Sequence, residues 1–316
     1  MRSKKALISG VTGQDGAYLA NLLLSKGYKV FGTFRRTSTP NFWRLQYMDI
    51  FSKINLIPAD LLDMGSLINA IKISDPDEIY NMAAMSFVST AFEQPVGNSQ
   101  ITGTAVTRFV EAIKALNPNV KFYQASSSEM YGNSKTDTQN EETPFSPASP
   151  YAAAKLYAHW MTKIYQEAYD MFAVSGILFN HESPIRGLEF VTRKITNAAA
   201  QIKLGLRKDI SIGNIKSKRD WGFAPEYMEA IYLMMQQDKP ETYVISTNET
   251  HSVEEMVKLA FEELDLDWKN HVKIDKKFYR PLDINLLKGD YSKAKKELGW
   301  EPKTKFNDLI KLMVNE

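Results

Sequence analysis

Short apolar runs alternate with stretches of helical periodicity along the first half of the chain. ALISG (6–10) reads as a buried strand, because a strand covered on both faces needs no polar alternation. DGAYLANLLLSKG (15–27) has helical spacing and stops at Gly27. KVFGTF (29–34), INLIPAD (54–60), DEIYNMAA (77–84) and VKFYQAS (120–126) read as further strands. MGSLINAIKI (64–73) and GTAVTRFVEAIKAL (103–116) read as helices between them. This alternation predicts an α/β fold: a parallel sheet with helices on both faces. NSKTDTQNEETPFSPASP (133–150) is polar and Pro-rich, hence a loop, and Pro150 opens a long helix, YAAAKLYAHWMTKIYQEAY (151–169).

The second half is less regular. EFVTRKITNAAAQIKLG (189–205) reads as a helix and DISIG (209–213) as a short strand. HSVEEMVKLAFEEL (251–264) is a helix opened by a capping box of Ser252 and Glu255. YSKAKKELGW (291–300) and FNDLIKLMV (306–314) close the chain as helices. The pattern divides the chain near residue 170. A dinucleotide-binding domain occupies 1–170 and a smaller α/β lobe occupies most of 171–316, with later segments expected to cross back.

Composition removes several classes. The chain has 316 residues, 44% hydrophobic and 24% charged, which fits a globular core of good size. The net charge is only +2, so nothing global points to nucleic acid or an anionic membrane. No stretch approaches the ~18 apolar residues of a membrane span. With no cysteine, thiol catalysis and Cys-based zinc sites are excluded. A reducing, cytoplasmic setting fits that absence. His159, His181, His251 and His271 show no metal spacing, and no metal is expected.

Three motifs carry chemistry. GVTGQDG (10–16) joins the first strand to the first helix, with Gly10, Gly13 and Gly16 as G-x-x-G-x-x-G. Glycines there allow a tight turn and close approach of backbone to a pyrophosphate at the helix N-terminus, the Rossmann-like arrangement of a doubly wound sheet. After the second strand, where NAD folds usually carry an acid, the chain reads TFRRTS (33–38). Arg35 and Arg36 suit a 2′-phosphate, so NADP is the expected cofactor. YAAAK (151–155) sets Tyr151 and Lys155 on one helix face. A cation so placed is expected to lower the phenol's pKa and make it a usable base.

SSSEMYG (126–132) adds three hydroxyls and a carboxylate at a strand end. With the glycine loop and Tyr151-x-x-x-Lys155 it resembles the extended short-chain dehydrogenase/reductases. Within them GQDGAYLANLLL, FNHESPIRGLEFVTRKIT (179–196), KRDWGFAPEYMEA (218–230) and RPLDINLLKGDYSKAKKELGW (280–300) resemble the GDP-mannose 4,6-dehydratase family. The likeness runs over nearly the whole chain. It implies Ser127, Glu129, Tyr151 and Lys155 as catalytic. It implies cofactor contacts from Gly10, Thr12, Gly13, Gln14, Asp15, Gly16, Asp60, Leu61, Met82, Ala83, Ala84, Ser86, His181 and Arg186. Ser86, Ser128, Asn180, Lys194, Arg219 and Arg280 would meet the substrate. Departures are Ser127 for a usual Thr, Phe87 for His, Gly97 for Tyr, Gln100 for Asn, and Ile185 for Arg.

The implied reaction oxidises the sugar at C4, eliminates water across C5 and C6, and returns the hydride to C6. Glu129 answers why a carboxylate follows the serines: elimination needs an acid/base that simple oxidation does not. GDP-mannose is the implied substrate; GDP-manno-heptose or another nucleotide sugar is an alternative. A 4-epimerase or 4-reductase fits Glu129 less well, and the intact set of Ser127, Glu129, Tyr151 and Lys155 argues against a non-enzymatic NADP-binding regulatory protein. The resemblance also implies a homodimer or homotetramer.

Overall fold

A computed structural model describes residues 2–316. The first half alternates as the pattern predicts. Strand β1 (Lys5–Ser9) leads into α1 (Gln14–Ser25), then β2 (Lys29–Phe34), the short α2 (Trp43–Tyr47), β3 (Asn55–Pro58), α3 (Met64–Ser74) and β4 (Glu78–Asn81). Two short helices follow, α4 (Val88–Glu93) and α5 (Pro95–Asn98). A π-helical turn at 99–104 runs into α6 (Ala105–Leu116), followed by β5 (Lys121–Ser127) and α7 (Pro150–Tyr169). Gly27, in the left-handed region at φ +80°, stops α1 by letting the chain turn back under it.

The second half holds more regular structure than its sequence pattern implied. It contains β6 (Ala173–Leu178), β7 (Asn180–Glu182), α8 (Val191–Lys203), β8 (Ile210–Ile212), β9 (Lys218–Arg219), β10 (Trp221–Phe223) and α9 (Ala224–Met235). After these come β11 (Tyr243–Ile245), β12 (His251–Ser252), α10 (Val253–Glu262), β13 (Val272–Ile274), α11 (Ser292–Leu298) and α12 (Phe306–Asn315). The Ser252–Glu255 capping box forms at the start of α10.

Seven strands make the central sheet in the order β11-β6-β5-β4-β1-β2-β3. Every pair in it is parallel. Apolar residues of α1, α9 and α11 cover one face. Those of α3, α6 and α7 cover the other, where Phe109 and Phe122 are fully buried. Truncating such a phenylalanine costs about 3–5 kcal/mol. A separate apolar core joins α8, α10 and α12 around Trp221 and Phe306. The strand order reverses between β1 and β4, and a crevice at such a switch point is where open α/β sheets bind ligands. No helix among the described residues is long and apolar enough to cross a membrane.

Candidate active site

One large cavity, about 1030 Å³, opens beyond the carboxyl ends of β1, β4 and β5. The glycine loop forms part of its wall. Gly10 sits at φ +72°, and a Cβ on it would lie 2.9 Å from the Ala83 Cα. A Cβ on Gly16 would fall 2.3 Å from the Gly10 carbonyl oxygen. Side chains at these positions would strike the loop's own backbone or Ala83. Gly13 caps α1 without a side-chain bond, which leaves the first N–H groups of a twelve-residue helix free for an anion.

A polar network backs the loop. The Asp15 carboxylate accepts from His181 Nε2 at 3.0 Å and from Gln14 Nε2 at 2.8 Å. His181 Nδ1 donates to the Phe179 carbonyl at 2.7 Å. Both ring nitrogens therefore face acceptors, which fits a protonated imidazole. Ser183 donates to Gln14 Oε1 at 2.7 Å, and the imidazole stacks on Tyr227 at 4.8 Å. Burial alone would raise Asp15, but His181, Arg186 and Gln14 outweigh it and hold the carboxyl well below the usual range. Burial alone would lower His181, and Asp15 overcomes it and raises the imidazole.

Strand β5 delivers the serines. Ser126, Ser127 and Ser128 all line the cavity. The Ser127 hydroxyl accepts from Glu129 N at 3.2 Å, capping a 3-10 turn over Ser128–Tyr131 and turning Glu129 inward. Gly132 ends the turn at φ +57°; a Cβ there would fall 1.7 Å from the Ser146 carbonyl oxygen. The polar loop then returns to α7, where Ser149 accepts from Ala152 N at 3.1 Å and Pro150 fills the first turn. This start places Tyr151 and Lys155 in the cavity wall.

The lysine's hydrogen-bond partner in the cleft is a backbone carbonyl. Lys155 Nζ donates to the Ala125 carbonyl at 2.6 Å and stands 5.8 Å from the Tyr151 ring centre. Burial pushes the Tyr151 phenol up, with the Ser127 hydroxyl working the other way and Glu129 adding to the rise. Burial pulls Lys155 down to about 8. Desolvation is the largest influence on the phenol.

The remaining wall is rich in cations. Glu129 Oε1 lies 3.5 Å from Arg280 Nη1, while its Oε2 is buried without a partner. Arg219 donates to the carbonyls of Lys218 and Ile284 at 2.9 and 2.8 Å and approaches Asp283 at 3.7 Å. Lys194 donates to the Ser211 carbonyl at 2.8 Å and stands 4.0 Å over the Phe278 ring. Burial lowers Lys194, helped by Arg207 and Lys277. Asn180 Oδ1 is buried and unpartnered. Behind Arg219, Asp220 accepts from the backbone N–H groups of Thr247, Asn248 and Gly289. Burial still pushes it up to about 7. Phe87 and Phe190 meet edge to face at 5.7 Å, with the Arg186 guanidinium 3.7 Å over Phe190.

Most residues singled out by sequence gather here: the glycine loop, Met82 to Ala84, Ser86, the serines, Glu129, Tyr151, Lys155, Asn180, His181, Arg186, Lys194, Arg219 and Arg280. Arg35, Arg36, Asp60 and Leu61 do not line the cavity; both arginines are exposed beyond β2. Asn41, Arg44, Phe190 and Asp283 line it without having been anticipated. Arg44 donates to the carbonyls of Ile185 and Thr12 at 2.7 and 3.2 Å. Its only sequence signal is a cation inside the aromatic stretch NFWRLQY. Ile185, where Arg was expected, is buried. Gly97, where Tyr was expected, has open space beside it.

The family model for GDP-mannose 4,6 dehydratase matches residues 7–313. The chain belongs to that family. It is 48% identical to GDP-mannose 4,6 dehydratase 1 of Arabidopsis thaliana, over 99% of this chain and 89% of the relative. The human GDP-mannose 4,6 dehydratase is 44% identical, over 98% of this chain and 90% of its own length. The Sinorhizobium fredii enzyme of that name is 45% identical, over 99% and 96%. Among solved structures, a dTDP-glucose 4,6-dehydratase from Bacillus anthracis in complex with NAD superposes with TM-score 0.86 at 22% identity, covering 99% of this chain and 96% of that one. A UDP-glucose 4-epimerase from Thermotoga maritima with UDP-glucose gives 0.86 at 22%, over 98% and 97%. At such identities the likeness is one of fold.

Proposed function

We propose that this member of the GDP-mannose 4,6 dehydratase family converts GDP-mannose to GDP-4-keto-6-deoxymannose with NADP. The observation that carries the reading is Glu129. It is buried in one cavity with the Ser127 and Tyr151 hydroxyls and with Arg219 and Arg280. Solved fold neighbours carry NAD or NADPH, and the chain's own cradle fits such a group: two glycines that admit no Cβ and an open helix N-terminus. Gly10 to Gly16, Met82 to Ala84, Ser86, Tyr151, Lys155, His181 and Arg186 would hold it. Asp60 and Leu61 stand further off. When bound, a nicotinamide supplies a reversible two-electron acceptor. Arg35 and Arg36 support NADP, since they are the first cations past β2 and no acid lies within 33–38.

The chain's own groups then divide the work. Tyr151 takes the O4 proton as its phenolate, a form that the cationic Lys155 and an oxidised nicotinamide would favour against the burial that opposes it, and Ser127 and Ser128 hydrogen-bond that oxygen. Glu129 removes the C5 proton and returns one to the C6 hydroxyl as it leaves as water. Its orphan Oε2 supports that role, because no protein group competes for it. Lys194, Arg219 and Arg280 face the diphosphate.

Substrate deuterated at C4 tests this reading. Product should carry that deuterium at C6, and solvent deuterium should appear at C5. Label lost to solvent, or transferred between substrate molecules, would overturn it.

A further inference from the structure

We infer that His159 is a positioning residue: by holding the Ser126 hydroxyl it fixes the end of β5, and with it the Ser127 hydroxyl and the turn that sends Glu129 into the cleft. This rests on the reading of the cavity as a site where a GDP-sugar is dehydrated.

The end of β5 needs such a hold. Residues 122–124 pair with strands on both sides, but Ala125, Ser126 and Ser127 pair with β6 alone. Helix α7 grips these three residues instead. Lys155 Nζ donates to the Ala125 carbonyl at 2.6 Å. One turn further along α7, His159 Nδ1 lies 3.2 Å from the Ser126 Oγ. One turn back, the Tyr151 phenol stands beside the Ser127 hydroxyl. Tyr151, Lys155 and His159 follow one another at intervals of four, so a single stripe of α7 meets three consecutive residues of β5. Of these contacts, the one between His159 and Ser126 has no part in the chemistry described above.

The imidazole is suited to holding. His159 is 5% and Ser126 4% exposed, and the ring meets Phe145 edge to face at 5.3 Å. Burial lowers His159 to about 4, with Lys163 adding to the effect, so the ring is neutral near pH 7 and sets no second cation beside Lys155. A neutral imidazole has one donor and one acceptor nitrogen, and a hydroxyl can match either. A bond this deep is costly to break, because the hydroxyl left behind has no water to turn to. Its consequence lies one peptide away. The Ser127 hydroxyl accepts from Glu129 N at 3.2 Å, so a shift of Ser126 reaches the Ser127 oxygen and through it the carboxylate. Misplacing such groups by about 1 Å can cost about 10²-fold in rate.

Steady-state dehydration of GDP-mannose by the NADP-loaded protein tests this. His159→Phe keeps an aromatic ring against Phe145 but has no nitrogen, so kcat should fall about tenfold, the scale of one buried hydrogen bond. KM should stay within about twofold, since the ligand's own contacts are untouched. His159→Asn sets a polar atom where Nδ1 stood and should regain most of kcat, although it packs less well than phenylalanine. Ser126→Ala should lose as much as His159→Phe, and the double variant no more than either, because the histidine acts through that hydroxyl. Native kcat in His159→Phe, an asparagine variant no better than the phenylalanine one, or losses that multiply in the double variant would each overturn the positioning role alone. No dehydration of GDP-mannose by wild type would overturn the reading of the site and the role with it.

Discussion

Asp15 and Glu129 are carboxylates in the wall of one cavity, yet their surroundings differ. Asp15 has a partner for each oxygen, and those partners are themselves bonded to Phe179, Ser183 and the His181 carbonyl. Glu129 has one long contact and one bare oxygen. A satisfied network keeps its shape whether or not a ligand is present. A buried unpartnered oxygen is costly, and it persists where something else is to meet it. The network around Asp15 is therefore finished in the protein alone. The Glu129 side is left incomplete, with Arg219 and Lys194 resting on backbone carbonyls.

The sharpest way to break this contrast is Glu129→Gln. The amide keeps the shape and removes the base, so water loss should fall about 10²–10⁴-fold. C4 oxidation should persist, and reduced nicotinamide should build up on the enzyme, visible by its absorbance. A near-native rate of dehydration would remove Glu129 from the chemistry.

On the finished side, Asp15→Asn should act on stability. Losing a charge-assisted bond to His181 costs about 1.5–3 kcal/mol, measured by urea unfolding. The sign with pH follows from both partners. Asp15 is depressed, so its contribution is full above about pH 4 and fades as acid protonates it. His181 is raised, so its share is full below about pH 6.5 and is lost as pH climbs through its folded value. The gap between wild type and variant should be widest between those limits. A gap flat from pH 4 to 9 would mean that charge plays no part.

The smallest effect is expected outside the cavity. Arg36 is exposed, and an exposed pair contributes about 1 kcal/mol or less. Arg36→Ala should reduce a preference for NADP over NAD by no more than about fivefold. Equal affinity of the native protein for both would leave the arginines without that role.

The dinucleotide side was also the more legible in sequence. Its glycines, strand and helix are contiguous, so local pattern suffices, and Gly10 and Gly16 occupy the positions where a Cβ is excluded. The serine-rich strand end and the spacing of Tyr151 and Lys155 were readable for the same reason. What escaped was set by tertiary contact. AVSGIL (173–178) is buried along its length, but Ser175 and Gly176 in its middle interrupt the apolar run that would mark it. Helix α9 went unassigned, although it packs its apolar face beside α1. Arg44 stands on a five-residue helix inside a loop, and only the fold brings it to Thr12 and Ile185. Spacing set Lys155 near Tyr151 but could not show how far both groups are desolvated.

The order of strands has a consequence for how the protein is made. Residues 121–124 of β5 pair with β4, but Ala125, Ser126 and Ser127 pair only with β6. On the ribosome, the strand that carries the serines therefore waits for residues 173–178 to emerge before its serine-bearing end is paired, and β11 must follow to cover β6 in turn. Until then the growing sheet presents a bare edge, the feature that invites pairing with another chain. Chemistry is assembled late in synthesis, and the nascent first half is at once the best-patterned part of the polypeptide and the part most in need of shelter.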